Sequence, residues 1–208
     1  INEKKCSGRV EQLEQIIFKS PAEGNLGIGH VRWATHGVPN HINAHPHSSE
    51  IVSVVHNGII ENSSDLKLDL KTKGLKFKSQ TDTEVITLMI TEFLKEMKPI
   101  EAVFKTIKKL KGSFALGIIF KDFNNMIIGA RRGSPLAVGY SKDENYLGSD
   151  SYALKSMTSK ISYLDDGDIC ILTKDNVDFY DVNQNKINKK VFILSDDENI
   201  SEIGRAHV

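Results

Sequence analysis

The chain has 208 residues, enough for one domain with a buried core and short for two ordinary ones. Its 27 basic and 27 acidic residues cancel, which removes the electrostatic footprint expected of a binder of nucleic acid or of an acidic membrane. A hydrophobic content of 39% argues against disorder, no apolar run reaches the roughly 18 residues of a spanning helix, and Cys6 and Cys170 are too few for a disulfide framework, so a cytoplasmic globular domain is expected.

The chain opens at Ile1 and closes on "SEIGRAHV", which reads as a segment of something longer. Val10, Leu13, Ile16 and Ile17 recur at helical spacing and predict a helix from Ser7, a capping residue type, to Ser20. "GIGHVRW" (27–33) and "EIVSVVHNGII" (50–60) are rich in β-branched residues and predict strands. "SSDLKLDLKTKG" predicts a short helix ending at Gly74. Thr81 followed three residues later by Glu84 has the form of a capping box, so the next helix is expected to start at Thr81 and run through "EVITLMITEFLKEMK". A further helix is expected from Pro99 to Leu110, with Gly112 just past its end.

After Gly112 the pattern changes to short strands, "SFALGIIF", "NMIIGARR", "PLAVGYS", "ENYLGS", "KISYLDDGDICILT", "NVDFYDV" and "KINKKVFIL", separated by turn-rich joints. Strands, then helices, then a long strand meander predict antiparallel sheets with helices packed outside them, an α+β layered sandwich. Strands and helices do not alternate, so a doubly wound parallel sheet is not expected.

The densest polar chemistry lies in residues 29–47, with five histidines, Arg32 and Trp33. His41, His45 and His47 could converge on a metal, but Pro46 removes the regular helix that gives such spacing its meaning, and no cysteine or aspartate lies nearby. Arg32 is either a strand arginine with a solvated head or a bidentate clamp for a carboxylate. In "HNGII" the Asn57-Gly58 pair reads as a hairpin turn, or as a side-chain amide and a backbone N–H aimed at one oxygen, the composition of an oxyanion hole. Asp82 either complements a helix dipole or receives an ammonium. "RRGSP" (131–135) reads as a turn, since no helix follows to complete an anion site. A cation, a carboxylate and paired amide donors are together what a free amino acid with a side-chain amide requires.

Taken together, "GIGHVRWATHGVPNHINAHPHSS", "VVHNGIIEN", "FKSQTDTEVI", "RRGSPLAVG" and "YLGSDSYAL" resemble the glutaminase (glutamine amidotransferase type 2) domains of glutamine–fructose-6-phosphate aminotransferases, in that order and over roughly residues 24–170. "RWATHG" and "TDTEVI" favour this family over the related phosphoribosyl-pyrophosphate amidotransferases, the alternative within the class. The resemblance implies an N-terminal-nucleophile (Ntn) hydrolase fold, a four-layer αββα sandwich with two antiparallel sheets, here without its first strand, and residues 1–208 as one such domain. It implies that Arg32 holds the α-carboxylate of L-glutamine and Asp82 its α-amine. Thr35, His36 and His45 would line the same pocket, Asn57 and Gly58 would form the oxyanion hole, and Trp33 would stand where ammonia leaves.

In that family an N-terminal cysteine attacks the amide and a γ-glutamyl thioester is then hydrolysed. The ammonia is used by an isomerase domain that makes glucosamine-6-phosphate from fructose-6-phosphate. Ile1 stands where no such cysteine can be, and the internal Cys6 cannot replace it. No isomerase half is expected within these 208 residues, so fructose-6-phosphate is expected only through that half, in a homodimeric parent, with no metal or cofactor and no membrane or nucleic-acid partner. Two other readings are a non-catalytic amino-acid-binding module with the same pocket and a metal-dependent hydrolase built on the histidines.

Overall fold

A computed structural model of the chain describes residues 1–32, 37–123 and 125–194. In chain order the elements are α1 (Val10–Lys19), β1 (His47–Ser48), β2 (Val52–Ile60), α2 (Ser63–Thr72), α3 (Thr83–Phe93), α4 (Pro99–Ile107), β3 (Gly112–Phe120) and β4 (Ile127–Arg132). They continue with β5 (Ala137–Tyr140), β6 (Asn145–Gly148), α5 (Ser151–Leu154), β7 (Lys160–Tyr163), β8 (Ile169–Leu172), β9 (Val177–Tyr180), β10 (Lys186–Ile187) and β11 (Phe192–Ile193). Every strand pairing is antiparallel. One sheet runs β1-β2-β3-β4-β8-β9-β10 and the second β11-β7-β5-β6.

The two-residue period of β2 and β3 sorts their side chains into two layers. Val52, Val54 and Ile60, with Phe114, Leu116 and Ile118, share one core with Val85, Ile86 and Ile90 of α3 and Val103 and Phe104 of α4. Ala115 faces the other way, into a second core with Leu136, Val138, Leu164 and Cys170 between the sheets. Leu154 of α5 packs with Ala137 and Ile161 on the outer side of the second sheet. The layers are therefore helices, sheet, sheet and a single short helix, the expected α+β arrangement with two antiparallel sheets. A buried Leu, Ile or Phe contributes about 1.5–3 kcal/mol, so the first core, with thirteen buried side chains of this kind, carries most of the apolar stabilisation.

Several expected boundaries differ. Residues 27–32 form no strand, because no described strand supplies the hydrogen-bonding ladder that β-branched residues alone cannot replace. Ser7 does not cap α1, which follows Arg9 with no side-chain cap and buries none of its residues. The helix expected from Thr81 begins at Thr83, after Asp82, because Thr81 and Glu84 both spend their side chains elsewhere. It ends at Phe93, where 94–97 tighten into turns ahead of Pro99. The expected helix to Leu110 ends at Ile107. "KISYLDDGDICILT" is two strands in different sheets, β7 and β8, joined by a turn at Gly167 with φ +88°. "KINKKVFIL" likewise divides into β10 and β11, and α5 was not expected at all.

Candidate active site

Asn57 and Gly58 do not turn the chain. They sit inside the nine-residue β2, opposite Ala115 and Phe114 of β3. Gly58 has φ +131°, and a Cβ there would lie 2.2 Å from the Ser113 carbonyl oxygen, so the close approach of the two strands demands glycine. The alternation of β2 sends His56 to the helical side, where it is buried, and turns Asn57 to the opposite face.

The start of α3 faces this stretch. Asp82, 8% exposed, occupies the position before the helix, and its Oδ2 accepts the N–H of Ile60 at 2.8 Å. Thr83 is fully buried, and its Oγ1 lies 2.9 Å from His45 Nε2 and 3.0 Å from His56 Nδ1. One hydroxyl thus joins the loop, the strand and the helix. Behind it, buried Glu84 accepts the N–H groups of Lys78 and Ser79 and the Ser79 hydroxyl, each at 2.7 Å, which fixes the approach to Asp82. Thr81 Oγ1 lies 2.9 Å from His47 Nε2. Asn43, 1% exposed, ties the two loops together: its amide nitrogen donates to Val38 and Gln80, and its oxygen accepts from the Gln80 N–H.

Four imidazoles are gathered here. The His30 and His45 ring centroids are 4.2 Å apart, and those of His45 and His47 5.1 Å. Burial above all drives His45 down to about 2, helped by the neighbouring imidazoles and Arg32. Burial and the Lys5 ammonium lower His47 to about 4, against the pull of Glu84 and Glu3. His30 is also lowered, by burial and slightly by Arg32, against its contacts with Asn57 and the His56 backbone. With their pKa lowered, His30, His45 and His47 are neutral at pH 7 and act as hydrogen-bonding groups. Metal ligation has no support from their arrangement: His45 and His47 direct Nε2 to threonine hydroxyls, His41 is exposed, and no group of three or more His, Cys, Asp or Glu among the described residues is arranged to hold an ion.

A cavity of about 310 Å³ is lined by Arg32, His45, Asn57, Gly58 and Asp82, together with His30, Thr83 and Ser113. Arg32, Asp82 and the Asn57-Gly58 pair therefore reach one space, the size of a small molecule. It adjoins a cavity of about 500 Å³ between the sheets, with His30, Val31, His56 and Asn57 common to both. The other expected pocket residues, Trp33, Thr35 and His36, lie outside the described residues. Cys170 is fully buried, which pushes its thiol up to about 12 and makes it inert as a nucleophile. Cys6 lines a smaller neighbouring pocket of about 190 Å³ that also touches His30, Arg32 and His45.

Residue type alone gives no site role to His30, His56, Thr83 or Asn43, and assigns Glu84 only to a capping box. A signal for Thr83 was available: a hydroxyl residue directly after Asp82 at a helix start, in a chain whose histidines had no assigned partners. The turn expected at "RRGSP" is present, with Gly133 at φ +73° and its N–H donated to Asp166.

Two antiparallel sheets, with Arg32, Asp82 and the Asn57-Gly58 pair lining one cavity between strand and helix, characterise this domain. A family model described as a glutamine amidotransferase domain matches residues 32–156, and the chain belongs to that family. It is similar to glutamine–fructose-6-phosphate aminotransferases [isomerizing]: 45% identical to that of Gluconobacter oxydans over 92% of this chain and 32% of the relative, and 47% identical to that of Mesorhizobium japonicum over 90% and 31%. With that of Clostridium acetobutylicum it shares 45% identity over 98% of the chain and 34% of the relative. The chain thus spans about a third of the length of these curated relatives. Among solved structures, a Bacillus subtilis glutamine phosphoribosylpyrophosphate amidotransferase complexed with ADP and GMP shares the fold (TM-score 0.62, 24% identity, 76% of this chain and 35% of that one). So does an allosteric regulatory enzyme of purine biosynthesis (TM-score 0.63, 25% identity, 75% and 35%).

Proposed function

We propose that this chain is the glutamine-hydrolysing part of a glutamine–fructose-6-phosphate aminotransferase, and that residues 1–208 act as one domain. The Arg32 guanidinium binds the α-carboxylate of L-glutamine and Asp82 its α-amine. The Asn57 side-chain amide and the Gly58 N–H stabilise the oxyanion that develops on the side-chain carbonyl during amide cleavage, with His45 in the pocket wall. Trp33, Thr35 and His36 complete the pocket, with Trp33 towards the exit of ammonia. The observation that carries this reading is the single cavity of about 310 Å³ lined by Arg32, Asp82, Asn57 and Gly58. The similarity to aminotransferases from three bacteria supports fructose-6-phosphate as acceptor in the whole protein, in preference to a phosphoribosyl-pyrophosphate reaction.

The pocket residues bind and orient glutamine and offset developing charge; the attacking thiolate is not among the described residues lining the cavity. Ammonia release from L-glutamine by the full-length natural polypeptide tests the reading. Asn57→Ala is expected to lower turnover by roughly 10²–10³, the usual loss of one oxyanion donor. Glutamine binding seen by calorimetry without ammonia release would favour the amino-acid-binding module instead.

A further inference from the structure

We infer that His30 is a positioning residue for the oxyanion donor: its Nε2–H holds Asn57 Oδ1 and so turns the Asn57 amide nitrogen toward the substrate cavity. The inference rests on the glutaminase reading above. His30 Nε2 lies 2.7 Å from Asn57 Oδ1, and both side chains line the same cavity.

An asparagine amide has two faces of opposite chemistry, an acceptor oxygen and a nitrogen with two donors. Only the nitrogen can stabilise an oxyanion; the oxygen in the same place would repel it. What Asn57 presents to the cavity is therefore decided by what its other end meets. A ring nitrogen bearing hydrogen accepts the amide oxygen as partner and frees the NH₂ group. A bare ring nitrogen instead attracts the NH₂ group and turns the oxygen inward.

The surroundings of His30 select the first arrangement. Its Nδ1 is buried and makes no hydrogen bond. A buried N–H without an acceptor is the costlier orphan, so the single proton of the neutral ring belongs on Nε2, where Asn57 Oδ1 accepts it. Burial keeps the ring neutral, since it lowers the pKa of His30. The neighbouring His45 ring, 4.2 Å away and itself fixed by Thr83, backs His30 and limits its rotation. The adjacent strand position, His56, is anchored to the same hydroxyl, so both flanks of the His30–Asn57 pair are tied to α3.

The test compares His30→Gln, which keeps a donor, with His30→Met, of similar length and without one, in the full-length natural polypeptide. Glutaminase kcat and KM are measured below the melting temperature of each variant. His30→Met is expected to lower kcat by 10- to 100-fold with KM changed less than threefold, while His30→Gln stays within about threefold of the natural protein. In an Asn57→Ala background, His30→Met is expected to cost less than a further twofold, because its effect passes through Asn57. Equal kcat for the Gln and Met variants, or the same loss with and without Asn57, overturns the proposal. A natural polypeptide that releases no ammonia from glutamine overturns the glutaminase reading itself, so the two failures are told apart.

Discussion

The N–H of Ile60, the last residue of β2, donates to the Asp82 carboxylate at 2.8 Å, joining the strand that carries Asn57 and Gly58 to the start of α3. One carboxylate oxygen is therefore committed to the scaffold while the side chain also faces the cavity. The geometry separates two contributions of Asp82. Asp82→Asn keeps an acceptor for Ile60 but loses the charge, so it is expected to raise KM for glutamine about 10- to 100-fold, matching the ~1.5–3 kcal/mol of a charge-assisted hydrogen bond, with a small change in stability. Asp82→Ala should lose both. Steady-state kinetics beside urea denaturation distinguishes them, and an unchanged KM for Asp82→Asn would remove this residue from substrate binding.

Thr83 bridges His45 and His56 with one hydroxyl at the fully buried start of α3. Thr83→Val keeps the shape and removes both partners, so a loss of about 1–3 kcal/mol is expected. Thr83→Ser should retain most of the stability. Equal urea midpoints for the valine and serine variants would contradict the bridging role.

Gly58→Ala would place a methyl group 2.2 Å from the Ser113 carbonyl at φ +131°. The β2–β3 ladder would have to part beside the cavity, and a destabilisation of more than about 2 kcal/mol is expected, since the backbone conformation itself disfavours alanine. Thermal melting of the variant checks this; an unchanged melting temperature would show that the strands can separate at no cost.

Acid should destabilise the fold in a defined window. The folded pKa of His47 is about 4 against 6.5 for the free side chain, because burial and Lys5 disfavour its charge. Between these values the unfolded chain binds the proton and the folded chain does not, so stability rises with pH there. It is fully present above about pH 6.5 and is lost as pH falls towards 4, by up to about 3 kcal/mol from this residue. His45, lowered to about 2, acts in the same direction. Urea midpoints measured from pH 7.5 to 4.5 should fall on the acid side, and His47→Gln should flatten part of the slope. An identical slope in that variant would show that His47 is not the titrating group.

Much of the fold was legible because periodicity reports burial. The apolar stripe of "TEVITLMITEF" and the β-branched run of "VSVVHNGII" each match an observed element. Residues 27–32 misled because strand propensity is realised only against a paired neighbour, and pairing is not written in a single segment. The site divides in the same way. Arg32, Asp82, Asn57 and Gly58 stood out through residue type beside glycine or a helix start, and they share one cavity. Thr83, Glu84 and Asn43 did not, because a residue that holds other residues in place is identified by its partners, and their partners lie 3 to 38 positions away. The Asn-Gly pair shows the limit of short signals: the letters of a hairpin turn occur at the centre of a long strand because a close carbonyl, not a turn, requires the glycine.

The most direct measurement is a crystal structure of the protein with L-glutamine bound. The account predicts the α-carboxylate on the Arg32 guanidinium, the α-amine against Asp82 and the side-chain carbonyl oxygen within hydrogen-bond reach of both the Asn57 amide nitrogen and the Gly58 N–H. Glutamine bound in another cavity, or bound here with its α-carboxylate turned away from Arg32, would contradict it.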